Sequence, residues 1–334
     1  MKKRLLSILL TVCMMMTLLP TVALAGTDPV DYGIWVGPTE VTSANADGVT
    51  GSGITGTVTY DAVTDTLTLN NASITETGLY GYVIGRYPGD LNVALIGSNT
   101  IDLSSAETVN GPFIGIYSDG KVNIKSTVGG SLSIVNAPTT RDANIGILGS
   151  AGATIEDCEV TVTAGTVTGT DNNACLGIEV ANGILSIKNA TVSASGGTTE
   201  GLSHGISVDN GSLVIDNSTV TASGGAGTFK SCGIDAATTS ITISASTVTA
   251  AGNTSALYFG GAPTVAGLTA TAGADKTGDG AAAVTIDTSV YGSGSTYKYV
   301  QIAPTNAASQ ARWGVAGSDG ARRQRGHMVH WTRP

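Results

Sequence analysis

Three consecutive stretches of this chain lie over one another at a spacing of 28 residues, and no other feature narrows the possible folds as sharply. Gly177-Ile178-Glu179-Val180 returns as Gly205-Ile206-Ser207-Val208 and again as Gly233-Ile234-Asp235-Ala236. Ile187, Ile215 and Ile243 keep the same spacing, as do Val192, Val220 and Val248. Asn182-Gly183 matches Asn210-Gly211, and Ser195-Gly196-Gly197 matches Ser223-Gly224-Gly225. A fixed period of this size belongs to stacked repeats, in which each unit buries its apolar edge only against its neighbours.

Within one period the apolar residues alternate with a step of two, the mark of strands. Ile206 and Val208 form one inward pair, Leu213 and Ile215 a second, Val220 and Ala222 a third. Asn-Gly and Ser-Gly-Gly separate the pairs and suit sharp corners, where positive φ is often required. The expected fold is all-β: a right-handed parallel β-helix, or β-solenoid, with three short strands per coil of about 28 residues and an N-terminal cap. The register extends backwards through Gly146-Ile147 and Gly115-Ile116, with insertions placed in corners such as Asp171-Asn172-Asn173. Thr66–Ile74 and Leu91–Leu103 read as strands of earlier coils, giving roughly seven coils and about 35 Å of stack. Ile34-Trp35-Val36 and Val58-Thr59-Tyr60 read as strands covering the first end, and Tyr297–Ile302 as a strand closing the other.

The resulting division is a leader over 1–25, a cap region over 26–53, the parallel β-helix over 54–303 and a tail over 304–334. Lys2-Lys3-Arg4, the apolar run from Leu5 to Leu19, and Ala23-Leu24-Ala25 have the three parts of a secretory signal peptide, with cleavage expected after Ala25. That run is shorter than a bilayer-spanning helix, and no other segment reads as transmembrane. The expected location is extracellular, at a bacterial cell surface. Beyond Ala311 the composition changes abruptly to five arginines, two tryptophans and two histidines, which reads as a disordered or out-of-frame tail. Cys158, Cys175 and Cys232 are odd in number and form no Cys-x-x-Cys pair, so neither a disulfide framework nor a zinc site is indicated.

Residues 26–304 carry 8 basic and 24 acidic groups, a net of −16. Such a surface repels nucleic acid, and also anionic glycans unless a divalent cation intervenes. Calcium is the ion to expect outside a cell. Asp275-Lys-Thr-Gly-Asp279-Gly280 begins like a calcium loop, with oxygen ligands at alternate places before a glycine. Ile286 occupies the twelfth position, where an EF-hand needs Glu, so Asp275 and Asp279 are candidate ligands of a generic calcium turn only. Asp157 and Glu159 should both point outward around Cys158 and could meet calcium or sugar hydroxyls. Thr191, Thr219 and Thr247, beside Ser193, Thr221 and Thr249, should form flat hydroxyl ladders.

Ser203-His204-Gly205 resembles the Gly-His-Gly motif of polygalacturonases, which are right-handed β-helix hydrolases. Their Asn-Thr-Asp, Asp-Asp and Arg-x-Lys motifs do not occur, and the repeat register reads His204 as an exposed corner residue. Pectate lyases need calcium-binding aspartates and an arginine base, and the body offers only Arg86 and Arg141, outside the best repeats. No catalytic residue is assigned. Tyr32-Gly-Ile-Trp-Val-Gly37, Val41-Thr-Ser43, Gly51–Thr59, Tyr60–Ile74 and Tyr297–Ile302 together resemble exported β-helix proteins of clostridia and related gut Firmicutes, the carbohydrate-binding domain-containing proteins. The resemblance covers about 32–303. It implies calcium-containing β-helices that bind cellulose or acidic, pectin-like sugars without catalysis, hence a polysaccharide partner, and it carries over no ligand-contacting residue. A structural or adhesin stalk is the alternative, and a pectin-type lyase or hydrolase a third.

Overall fold

The structure is a computed structural model that describes residues 28–305 except 79, 141, 170–172 and 238–239. The leader, the arginine-rich tail, Arg141 and Asp171-Asn172 lie outside the described residues. The chain is 58% strand and 1% helix, a β-solenoid of about 6 turns made of parallel coils of about 28 residues.

Each coil lays one strand on each of three faces. On the first face run Tyr82–Arg86, Phe113–Ser118, Ala143–Gly149, the leading halves of Ala174–Lys188 and Leu202–Asp216, then Lys230–Ala236 and Ser255–Phe259. The second carries Leu91–Ile96, Lys121–Lys125, Gly152–Glu156, the trailing halves of the two long strands, and Ile241–Ser244. The third carries Ser98–Asp102, Ser131–Val135, Glu159–Thr163, Thr191–Ser195, Thr219–Ser223 and Thr247–Ala251.

In-register pairing puts like on like, as the 28-residue spacing requires. Ile124, Ile155, Ile187, Ile215 and Ile243 form one buried column. Val160, Val192, Val220 and Val248 form another. The Thr and Ser ladders expected on the third face are present: Thr191 sits on Thr219 and Thr247, and Ser193 on Thr221 and Thr249. The corner between the second and third faces is turned by Asp157, Asn189, Asn217 and Ala245, at φ of 56, 50, 46 and 48°. Asn and Asp tolerate this left-handed backbone better than other side chains. They also bond along the axis: Asn217 Nδ2 donates to Asn189 Oδ1 (2.9 Å), and Asn189 Nδ2 to Asp157 Oδ1 (3.0 Å).

Antiparallel strands close both ends and remove the open edges. Asp31–Val36 pairs with Thr39–Thr42 and with Tyr82–Arg86, and Ile54–Asp61 pairs with Thr66–Ile74. Ile54–Asp61 therefore belongs to the cap, and the parallel ladder starts at Thr66–Ile74 against Leu91–Ile96. The stack has about 6 turns, against the seven expected. At the far end Tyr299–Pro304 pairs antiparallel with Thr247–Ala251 and Leu268–Gly273. A helical turn, Thr288–Tyr291, capped by Asp287, sets the Tyr291 ring 5.9 Å from Phe259.

Two substitutions test this register in opposite directions. Ile215→Ala should cost about 3 kcal/mol, because it opens a cavity in a fully buried column. Ala245→Asn should stabilise by about 0.5–1 kcal/mol, since it relieves a left-handed alanine and extends the asparagine ladder. Urea unfolding of both variants reads the two signs.

Candidate functional site

A glycine repeated in the five middle coils, at Gly115, Gly146, Gly177, Gly205 and Gly233, gives the first face its shape, with Val83 and Ala256 at the same position in the end coils. A Cβ on Gly146 would lie 1.9 Å from Val162 Cγ1, and one on Gly233 2.8 Å from Ala250 Cβ. Gly177 and Gly205 likewise face the third-face strand, within 3.1 Å of Ala194 atoms. The isoleucine that follows each glycine is also buried, so two consecutive residues face inward, as in a bulge. At these five positions a Cβ would crowd atoms of the neighbouring strands, so glycine is required there. The residue before the glycine and the residue after the isoleucine consequently both face outward and converge across the kink. One such row is Tyr82, Ile114, Ile145, Leu176, His204, Cys232 and Ser255. The other is Gly85, Tyr117, Leu148, Glu179, Ser207, Asp235 and Tyr258. The strip between them, the trough, crosses six coil steps, about 29 Å, and most of the first row is buried in it.

The trough is aromatic at its N-terminal end. Gly85 has no side chain, and a Cβ there would lie 2.2 Å from Tyr82 Cε2, so the Tyr82 ring rests on the bare backbone of Gly85. That ring stacks on Tyr117 (centroids 5.5 Å, 24°) and on Tyr80 (6.0 Å, 29°). Trp35, the cross-strand partner of Gly85, meets Tyr80 edge-on at 5.3 Å. These rings, with Tyr87, Asp31, Gly33 and Glu40, line an open cavity of about 440 Å³. Tyr80 and Tyr87 remain 64% and 66% exposed. Partial burial, then the nearby charge of Asp31, raise the Glu40 carboxyl from its ordinary value. Two carboxylates therefore share one side of an aromatic cavity whose lining contains no basic residue.

The other end of the trough is polar. His204 is 2% exposed, its Nε2 lies 3.6 Å from Asp235 Oδ2, and Lys230 donates to the same oxygen. The Lys230 ammonium also sits 3.7 Å from the Tyr258 ring centroid. Cys232 Sγ lies 3.2 Å from Ser255 Oγ. The exposed corner position expected for His204 is thus corrected: the Gly205 bulge turns its side chain into the converging rows, where coil neighbours bury it. His204, Cys232 and Asp235 bring donor atoms within 4.8 Å of one another, the one such group of three among the described residues. Lys230 already neutralises Asp235 there, and all three ligands would have to close up to reach metal-bond distances.

Asp275 and Asp279 fall in the exposed hairpin turn between Leu268–Gly273 and Ala282–Val284. Asp275 Oδ1 accepts from Thr277 N (2.8 Å) and Thr277 Oγ1 (2.7 Å), which lowers its pKa. The carboxylate is engaged by its own turn. Asp157 and Glu159 are both exposed, as expected, with Asp157 built into the asparagine ladder. The three cysteines are free and buried. Arg86 pairs with Asp65 beside the cap. No family model matches the chain, and searches of curated proteins and of solved structures return no match.

Two trough residues titrate against each other. Burial, opposed by Asp235 and assisted by Lys230, lowers His204 from 6.5 to about 4. Burial, with the charge of Asp209, pushes Glu179 up to about 7. A depressed histidine contributes stability that is full above its unfolded pKa and lost as pH falls from about 6.5 to about 4. A raised carboxyl contributes stability that is full below its unfolded pKa and lost as pH rises from about 4.5 to about 7. Each is worth on the order of 2–3 kcal/mol, and they offset one another across pH 4.5–6.5. Glu179→Gln should therefore leave stability that falls on acidification through this window. His204→Gln should leave stability that falls on alkalinisation. Melting curves of both variants from pH 4 to 8 measure the two slopes.

Proposed function

We propose that this chain is an exported, non-catalytic carbohydrate-binding protein of a bacterial cell surface, which lays a polysaccharide along the trough and is assisted by calcium. One observation carries this reading: the platform of Trp35, Tyr80, Tyr82 and Tyr117, partly open to solvent and flanked by two carboxylates. A pyranose has an apolar C–H face and a hydroxyl rim. Stacked aromatic rings desolvate the first, and carboxylates accept hydrogen bonds from the second. A rigid platform on paired strands loses little entropy on binding.

The leader-like N-terminus and the net −16 of residues 26–304 support export and a role for calcium.

Retention on insoluble cellulose, chitin or pectin tests the binding reading directly. Tyr117→Ala should weaken retention about tenfold, because it removes one of the stacked rings. Gly85→Ala should do the same by driving the Tyr82 ring off its seat, with the fold intact. Failure of a folded sample to bind any glycan would favour the stalk. Calcium at a hundredfold excess over its dissociation constant should raise stability by about 2.7 kcal/mol, and a chelator should remove the gain. Asp275→Asn with Asp279→Asn should abolish that increment if the hairpin turn holds the ion. An unchanged melting temperature in chelator removes calcium from the account.

A further inference from the structure

Resting on the carbohydrate-binding reading, we infer that the aromatic cavity takes a cationic sugar, a glucosamine unit of a de-N-acetylated glycan, with its ammonium between Asp31 and Glu40 and its ring against the open aromatic lining. The geometry favours a cation in three independent ways. Asp31 and Glu40 come from paired strands of the cap, and the register that sets Glu40 opposite Trp35 brings both carboxylates to one cavity beside the rings, near enough for the charge of Asp31 to raise Glu40. Like charges held side by side repel, and a bound ammonium removes the repulsion while donating hydrogen bonds to the carboxylates. The faces of Trp35, Tyr80, Tyr82 and Tyr117 are electron-rich and attract a cation that approaches from the open side. Nothing basic among the lining residues competes for the carboxylates or would hold an anionic sugar.

The same features weigh against the other ligand classes. A uronate would meet two carboxylates with no counter-charge, and a neutral glucose unit would use the rings but leave the repulsion in place. Asp31 Oδ1 also accepts from Gly33 N at 2.7 Å, which fixes that carboxylate at the cavity rim. The ammonium of a bare lysine side chain could reach the pair, but a flexible methylene stem cannot cover a two-ring platform as a pyranose does.

Titration calorimetry of the full chain decides, in chelator and low salt at pH 6, with four soluble hexamers: glucosamine, N-acetylglucosamine, cellohexaose and oligogalacturonate. The glucosamine hexamer should bind about tenfold more tightly than cellohexaose, an advantage of about 1.4 kcal/mol. Salt should erode this preference, since it is electrostatic. Asp31→Asn with Glu40→Gln should reduce the glucosamine affinity to the level of cellohexaose, with a melting temperature showing that the variant is folded. Equal binding of glucosamine and cellohexaose hexamers would overturn the inference and leave the carbohydrate reading standing. Binding of oligogalacturonate that appears only when calcium is restored would overturn it by making the carboxylate pair a metal site. A hexalysine that matches the glucosamine hexamer would overturn it too. No binding of any hexamer by folded protein would overturn both readings.

Discussion

Every coil of this molecule hydrogen-bonds to the next in register, so each side chain sits about 4.8 Å above its equivalent one period earlier. That constraint governs what may occupy a row. Apolar residues stack without penalty, and asparagines can donate to one another. Charges must alternate, as they do where Lys125, Glu156, Lys188 and Asp216 follow each other along the second face. A row that changes character from rung to rung gains nothing from self-stacking. The outward rows of the first face are of that kind, running from tyrosine through leucine to glutamate, serine and aspartate. They are also the rows that the glycine bulge brings together. The variable rows and the concave surface therefore coincide, and the candidate site lies where they do.

Much of the architecture is legible in the sequence because stacking writes itself as spacing. The isoleucine and valine columns, the corner asparagines and the hydroxyl ladders all follow from the 28-residue register. The closing strand at Tyr299–Pro304 and the cap strand containing Trp35 follow from their alternation. The bulge is not legible from alternation alone. His204, just before a repeat start, reads as an exposed corner residue. Two successive inward residues at Gly205 and Ile206 shift the phase, and His204 is buried against Asp235 instead.

The aromatic platform was hidden for a related reason. Trp35 reads as a cap residue and Tyr82 falls between the runs Thr66–Ile74 and Leu91–Leu103, with nothing in the linear order to join them. The signal existed in the register: Tyr117 follows Gly115-Ile116 as Glu179 follows Gly177-Ile178 and Asp235 follows Gly233-Ile234. Carrying that position back one further coil reaches Gly85, a vacancy that Tyr82 fills. The antiparallel cap, which sets Trp35 against Gly85 and Glu40 against Trp35, requires the fold itself.

The central claim is that the cap and the first coils together form one ring platform that contacts ligand. Trp35 reports on it, because the other two tryptophans, Trp313 and Trp331, can be changed to phenylalanine outside the body. In that variant, emission from Trp35 during titration with a glycan hexamer should change saturably, with a midpoint equal to the calorimetric dissociation constant. Emission that stays constant while the same hexamer binds would place the ligand elsewhere and contradict the account.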